Sequence, residues 1–149
     1  MDERWVLIDE RTGLHVGWYF WLRVLDEANR AARYGTPFGL LLLEAVAPRG
    51  RERLADDAAA RVPRVIRSTD LGGIVGPGRV GVMLPHQDAE AAEQAAGRIV
   101  EELVACGGNG VSWSRQMLCY PRDAAEISIL LTTGWQPHEA RRRRDDVSA

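Results

Sequence analysis

Four consecutive leucines, Leu40 to Leu43, inside the segment Phe38-Gly39-Leu40-Leu41-Leu42-Leu43-Glu44-Ala45-Val46, constrain this chain more than any other feature. A strand with one wet face alternates apolar and polar residues. A short unbroken apolar run bounded by turn residues is what a central strand covered on both faces requires. Gly35, Thr36 and Pro37 precede the run, and the polar stretch from Ala47 to Glu52 follows it. The run falls far short of the roughly 20 apolar residues of a membrane span, so no membrane insertion is expected. The chain has 149 residues, enough for one domain with a sizeable core. Its formal net charge of −2 lacks the basic excess of a dedicated nucleic-acid binder, so no nucleic acid is expected as a partner. Cys106 and Cys119 are too few for a disulfide framework, and the N-terminal MDERWVLIDER carries no secretion signal. Together they predict a reducing, cytoplasmic setting. All 19 basic residues are arginine, which reads as compositional bias.

Along the chain, Gly13 to Tyr34 has a helical pattern. Trp18, Trp21, Leu22 and Leu25 fall at i, i+3, i+4 and i+7 on one face, away from Asp26, Arg30 and Arg33. That face is expected to be the core stripe, with Tyr19 or Phe20 left as an exposed contact surface. A second helical segment, residues 53–68, contains Pro63, which should kink or split it. Leu71 to Val75 and Val80 to Leu84 predict a hairpin around Gly76, Pro77, Gly78 and Arg79. A helix over residues 88–105 stopped by Gly107 and Gly108, a strand over 111–120 and a helix over 123–132 complete the order. The prediction is an α+β fold: a ferredoxin-like β-α-β-β-α-β core with an antiparallel-containing central sheet, helices on one face, and an extra N-terminal helix.

The usual catalytic constellations are missing. No phosphate-binding glycine loop is present, and His15, His86 and His138 are scattered singly, so no metal site is expected. Ser112 and Ser114 lack a nucleophile frame. Arg141-Arg142-Arg143-Arg144, followed by Asp145 and Asp146, reads as a solvated tail, with a basic tether to an anionic partner as the alternative.

Four segments in order carry a family resemblance: Asp9-Glu10-Arg11-Thr12-Gly13-Leu14, then Arg30 to Phe38 before the leucine strand, then Met83-Leu84-Pro85, and finally Tyr120-Pro121-Arg122-Asp123. Over roughly residues 9–132 the chain resembles the GGDEF domain of bacterial diguanylate cyclases, whose cyclase-type palm agrees with the strand order above. The resemblance divides the chain into a lead segment (1–8), a degenerate GGDEF-like domain (9–134) and an Arg-rich tail (135–149).

What the resemblance implies for chemistry is a loss. The signature G-G-[DE]-E-F stands here as Gly76-Pro77-Gly78-Arg79-Val80. Gly78 takes the place of an acidic metal ligand, and Glu44 alone stands at the other metal position. Glu52 aligns with a guanine-reading Asp, while the companion Asn falls in a gap. One carboxylate holds Mg²⁺ poorly, so cyclase activity is expected to be lost, with neither metal nor cofactor. A second family site is kept in register: Arg67-Ser68-Thr69-Asp70, five residues before Gly76, with Arg98 as its completing arginine. That site implies cyclic di-GMP as ligand, bound by Arg67, Asp70 and Arg98, with guanidinium forks matching its phosphates and guanine edges and the Asp70 carboxylate accepting from guanine N–H groups. The expectation is therefore a catalytically inactive regulatory domain that binds cyclic di-GMP. Its alternative is a nucleotide-independent interaction module with a protein partner or a homodimer.

Overall fold

The four leucines fall alternately on opposite sides of a sheet. In the computed structural model, which describes residues 7–106 and 110–135, β2 (Phe38–Val46) sends Leu41 and Leu43 to one buried cluster and Leu40 and Leu42 to another. The sheet runs β1-β3-β4-β2-β5, with β1 (His15–Val16) parallel to β3 (Leu71–Gly76). The pairings of β3 with β4 (Arg79–Pro85), of β4 with β2, and of β2 with β5 (Ser112–Tyr120) are antiparallel.

Helices cover both faces. α2 (Glu52–Ala59) and α3 (Ala89–Cys106) bury Ala58, Ala96, Ile99 and Leu103 against Leu41, Leu43 and Val82. On the other side α1 (Gly17–Tyr34) and α4 (Ala124–Thr133) bury Phe20, Val24 and Ile127 against Leu40, Leu42 and Met83. The expected single-sided cover is thus corrected: a strand with apolar side chains on both faces needs a layer on each. The α+β order itself agrees with expectation. Pro63 splits the second helical segment, leaving α2 followed by a single 3₁₀ turn, Val62–Arg64.

Two expectations about α1 fail. The helix starts at Gly17 rather than Gly13, because His15 and Val16 pair with Gly73 and Ile74 as a short edge strand. Its core face is also the opposite one. Phe20, Val24, Glu27 and Ala31 are buried, whereas Trp18, Leu22 and Leu25 are exposed. The reason lies across the sheet, where Gly73 and Gly81 pair on neighbouring strands. A Cβ on Gly73 would stand 2.5 Å from Phe20 Cβ, and one on Gly81 2.5 Å from Phe20 Cε1. The Phe20 ring lies flat on two bare backbones, a seat no larger residue leaves open.

The turn into α4 is closed by Asp123, whose carboxylate accepts from Cys119 N at 2.8 Å and from Arg122 Nη2 at 2.9 Å. The Arg122 guanidinium, and next the Cys119 N–H, hold this carboxyl below the usual Asp range. A group depressed in the folded state adds stability above its unfolded pKa and loses it as pH falls through the folded one. Asp123→Ala is therefore expected to cost about 1–2 kcal/mol at neutral pH and progressively less in acid below pH 4. Urea titrations of both proteins across that range check it. Burial pushes the neighbouring Cys119 thiol up, which keeps it unreactive. Gly107, Gly108, His138 and Arg141 to Arg144 lie outside the described residues.

Candidate functional site

The signature segment forms the β3–β4 hairpin, with Pro77 and Gly78 between the strands. Gly78 has φ +64°, in the left-handed region, and its carbonyl accepts from Ala45 N at 2.7 Å, which ties the turn to β2. Arg79 opens β4 directly across the ladder from Glu44, which is buried. The Arg79 guanidinium folds back over Gly76, where a Cβ would meet Nη2 at 2.5 Å. It donates to Trp135 O at 2.6 Å and Val75 O at 3.4 Å and lies 5.0 Å from the Trp135 ring centroid. Val80 points into the core.

A divalent cation does not fit this turn. Gly78 supplies no side-chain oxygen beside Glu44, and Arg79 brings a positive charge to the same place. Among the described residues no three His, Cys, Asp or Glu side chains gather around one point. Glu52 has a local task. It opens α2 and accepts from Gly50 N at 3.2 Å, and backbone N–H groups hold its carboxyl below the usual range.

Arg67 and Asp70 meet as their i, i+3 spacing allows. They lie in the turn between the 3₁₀ segment and β3. The buried Asp70 carboxylate accepts from Arg67 N at 2.8 Å, from Arg67 Nε at 3.2 Å and from Nη2 at 2.9 Å. Nη2 also donates to Pro85 O at 2.9 Å. With its amide oxygen turned towards Arg67, Gln87 accepts from Nη2 at 2.7 Å while its nitrogen donates to Ala91 O at 3.1 Å. His86, between these two acceptors, has φ +56°, a strained conformation for a residue with a Cβ. The guanidinium is thus fixed on one edge by three groups, the Asp70 carboxylate, Pro85 O and the Gln87 amide. Its Nη1 edge takes no acceptor among the described residues, and the side chain is 47% exposed.

Beside this pair opens a cleft of about 380 Å³ lined by His15, Ile66, Arg67 and Asp70. Arg98 is exposed on α3, one turn before Glu102. Glu102 pairs with Arg61 at 3.3 Å, so Arg98 lies on the side of α3 that carries this pair, but it does not line the cleft and makes no hydrogen bond or ion pair to Arg67 or Asp70 among the described residues. The sequence reading named Arg67, Asp70 and Arg98; the structure joins the first two and adds Pro85 O and Gln87, which that reading missed. A backbone carbonyl leaves no mark in a sequence, and His86-Gln87 had the look of a plain lead into a helix.

No family model matches the chain, and no curated protein matches it. Solved structures do. A DGC protein from Thermotoga maritima is 19% identical, with a TM-score of 0.67 over 86% of this chain and 100% of that one. The GGDEF domain of DgcB from Caulobacter crescentus, solved in complex with c-di-GMP, gives 0.73 at 14% identity, over 89% and 87%. The diguanylate cyclase SiaD from Pseudomonas aeruginosa, solved with its activator SiaC, gives 0.65 at 18% identity, covering 86% of this chain and 57% of SiaD. Among the described residues no helix is long and apolar enough to cross a membrane.

Proposed function

We propose that this chain, which has the GGDEF-domain fold, is a non-catalytic regulatory domain that binds cyclic di-GMP through Arg67 and Arg98. One observation carries the reading: Arg67 is held rigid by Asp70, Pro85 O and Gln87 while its outer N–H edge faces solvent. A guanidinium fixed in this way binds a phosphate or a guanine edge with little further loss of side-chain freedom. Asp70 acts as the positioning residue, its oxygens engaged by Arg67, and Arg98 adds a second cation from α3. The turn at Gly78 and Arg79 has exchanged acid for glycine and cation, which removes the neutralisation a triphosphate needs.

Calorimetric titration with cyclic di-GMP is expected to show saturable binding, and no heat at several hundred micromolar ligand overturns the proposal. Incubation with GTP and Mg²⁺ or Mn²⁺ is expected to yield no cyclic di-GMP; clear turnover would reinstate a catalytic reading of Glu44. The alternative, a nucleotide-independent interaction module, draws its support from the apolar outer face of α1.

A further inference from the structure

The cleft beside Arg67 has a lining that the ion pair alone does not use. Leu14, His15, Pro63 and Ile66 share it with Arg67 and Asp70. Its volume of about 380 Å³ lies at the small end of the roughly 300–1,000 Å³ typical of ligand pockets. A bare anion would engage Arg67 and leave the apolar lining unmatched. A nucleotide engages both, because it joins a phosphate to a flat base with an apolar face.

His15 is the aromatic side chain of this lining, and both its backbone and its ring are held. The backbone pairs with Gly73 of β3 and bridges to Ile8. The turn that leads into it is fixed by Gly13 at φ +74°, whose N–H donates to Asp9 O at 2.7 Å. The Leu14 N–H donates to Thr12 Oγ1 at 3.2 Å in the same turn. The imidazole stacks on the Tyr19 ring, with centroids 5.1 Å apart and planes 22° off parallel. Tyr19 is braced in turn by Arg23, whose Nη1 donates to Tyr19 Oη at 2.9 Å and whose guanidinium carbon lies 5.8 Å from the ring centroid. A ring fixed before a ligand arrives gives up little side-chain freedom when a second ring stacks on it.

We infer that His15 is a ligand-contacting residue, its imidazole the platform on which one guanine base of cyclic di-GMP stacks while Arg67 takes the adjoining phosphate. The inference rests on the nucleotide-binding reading above and deepens it. The small volume assigns one base to the cleft and leaves the other outside it. Stacking recognises the face of a base and not its edge, so His15 adds affinity without selecting guanine.

In calorimetric titrations of the full chain with cyclic di-GMP, His15→Ala is expected to bind about tenfold more weakly than wild type. His15→Phe, which keeps a flat ring, should stay within about threefold of wild type. Loss of packing on Tyr19 could also weaken the alanine variant, so the ring itself is read by proton NMR of the wild-type chain. The His15 ring signals, assigned by their disappearance in His15→Phe, should move upfield on saturation with cyclic di-GMP, as the ring current of a stacked base requires. Binding without that upfield shift overturns the inference, and so does equal affinity in His15→Ala and wild type; both results leave the Arg67 reading standing. Absence of binding to the wild-type chain overturns the two together.

Discussion

Phe20→Ala is expected to lower the unfolding free energy by about 3–5 kcal/mol, whereas Trp18→Ala, two residues earlier in the same helix, should stay within about 1 kcal/mol. Both remove an aromatic side chain, so the contrast isolates burial. Phe20 is fully buried on the glycine seat of β3 and β4, and its loss leaves a ring-sized void between backbones that the sheet hydrogen bonds hold apart. Trp18 lies mostly in solvent. Gly81→Val tests the same seat from the other side. Its added carbons would collide with Phe20 Cε1, and the cost should be at least about 1–3 kcal/mol. Urea unfolding at sub-micromolar protein reads these values free of any association. Equal costs for Phe20→Ala and Trp18→Ala would contradict the assigned face.

For cyclic di-GMP, Arg67→Ala should weaken binding about 100-fold or more, equivalent to roughly 3 kcal/mol for a lost charge-assisted contact. The same change strips the buried Asp70 carboxylate of its guanidinium and should destabilise the fold by about 1–3 kcal/mol. Arg98→Ala separates the two effects. Arg98 is exposed and makes no hydrogen bond or ion pair among the described residues, so stability should hold within about 0.5 kcal/mol. Its affinity should fall roughly tenfold. Arg67→Lys, which keeps the charge but loses the fork, should behave nearly as badly as alanine. Calorimetry paired with thermal melts on each variant gives both readouts. Unchanged affinity in Arg67→Ala and Arg98→Ala would remove the ligand site from this face.

The two sites were legible in the sequence to different depths. The hairpin at Gly76 to Arg79 and the Arg67–Asp70 pair follow from local spacing, which a sequence displays directly, whereas the facing of Glu44 and Arg79 arises only from the pairing of β2 with β4. The orientation of α1 does not. Its apolar residues fit two faces, and the choice is made by Gly73 and Gly81, more than 50 residues further along, whose missing side chains admit a ring. Periodicity showed that a helix forms but pointed to the stripe of Trp18, Trp21, Leu22 and Leu25 as the inward one, three of which the structure leaves exposed. The two-residue strand His15–Val16 was hidden for another reason: two residues show no period. The Leu40 to Leu43 run implied a cover on each face, and the single-sided layer expected from the element order gave way to it.

Arg79 also bears on how such a turn could change over evolutionary time. Its guanidinium spans Val75 O and Trp135 O, rests on Trp135 and stands across from Glu44. Replacing it with an acid would release both carbonyls and set two carboxylates face to face. An acid at Gly78 would strain a backbone at positive φ. Each single substitution towards an acidic turn therefore costs stability before any cation is there to compensate.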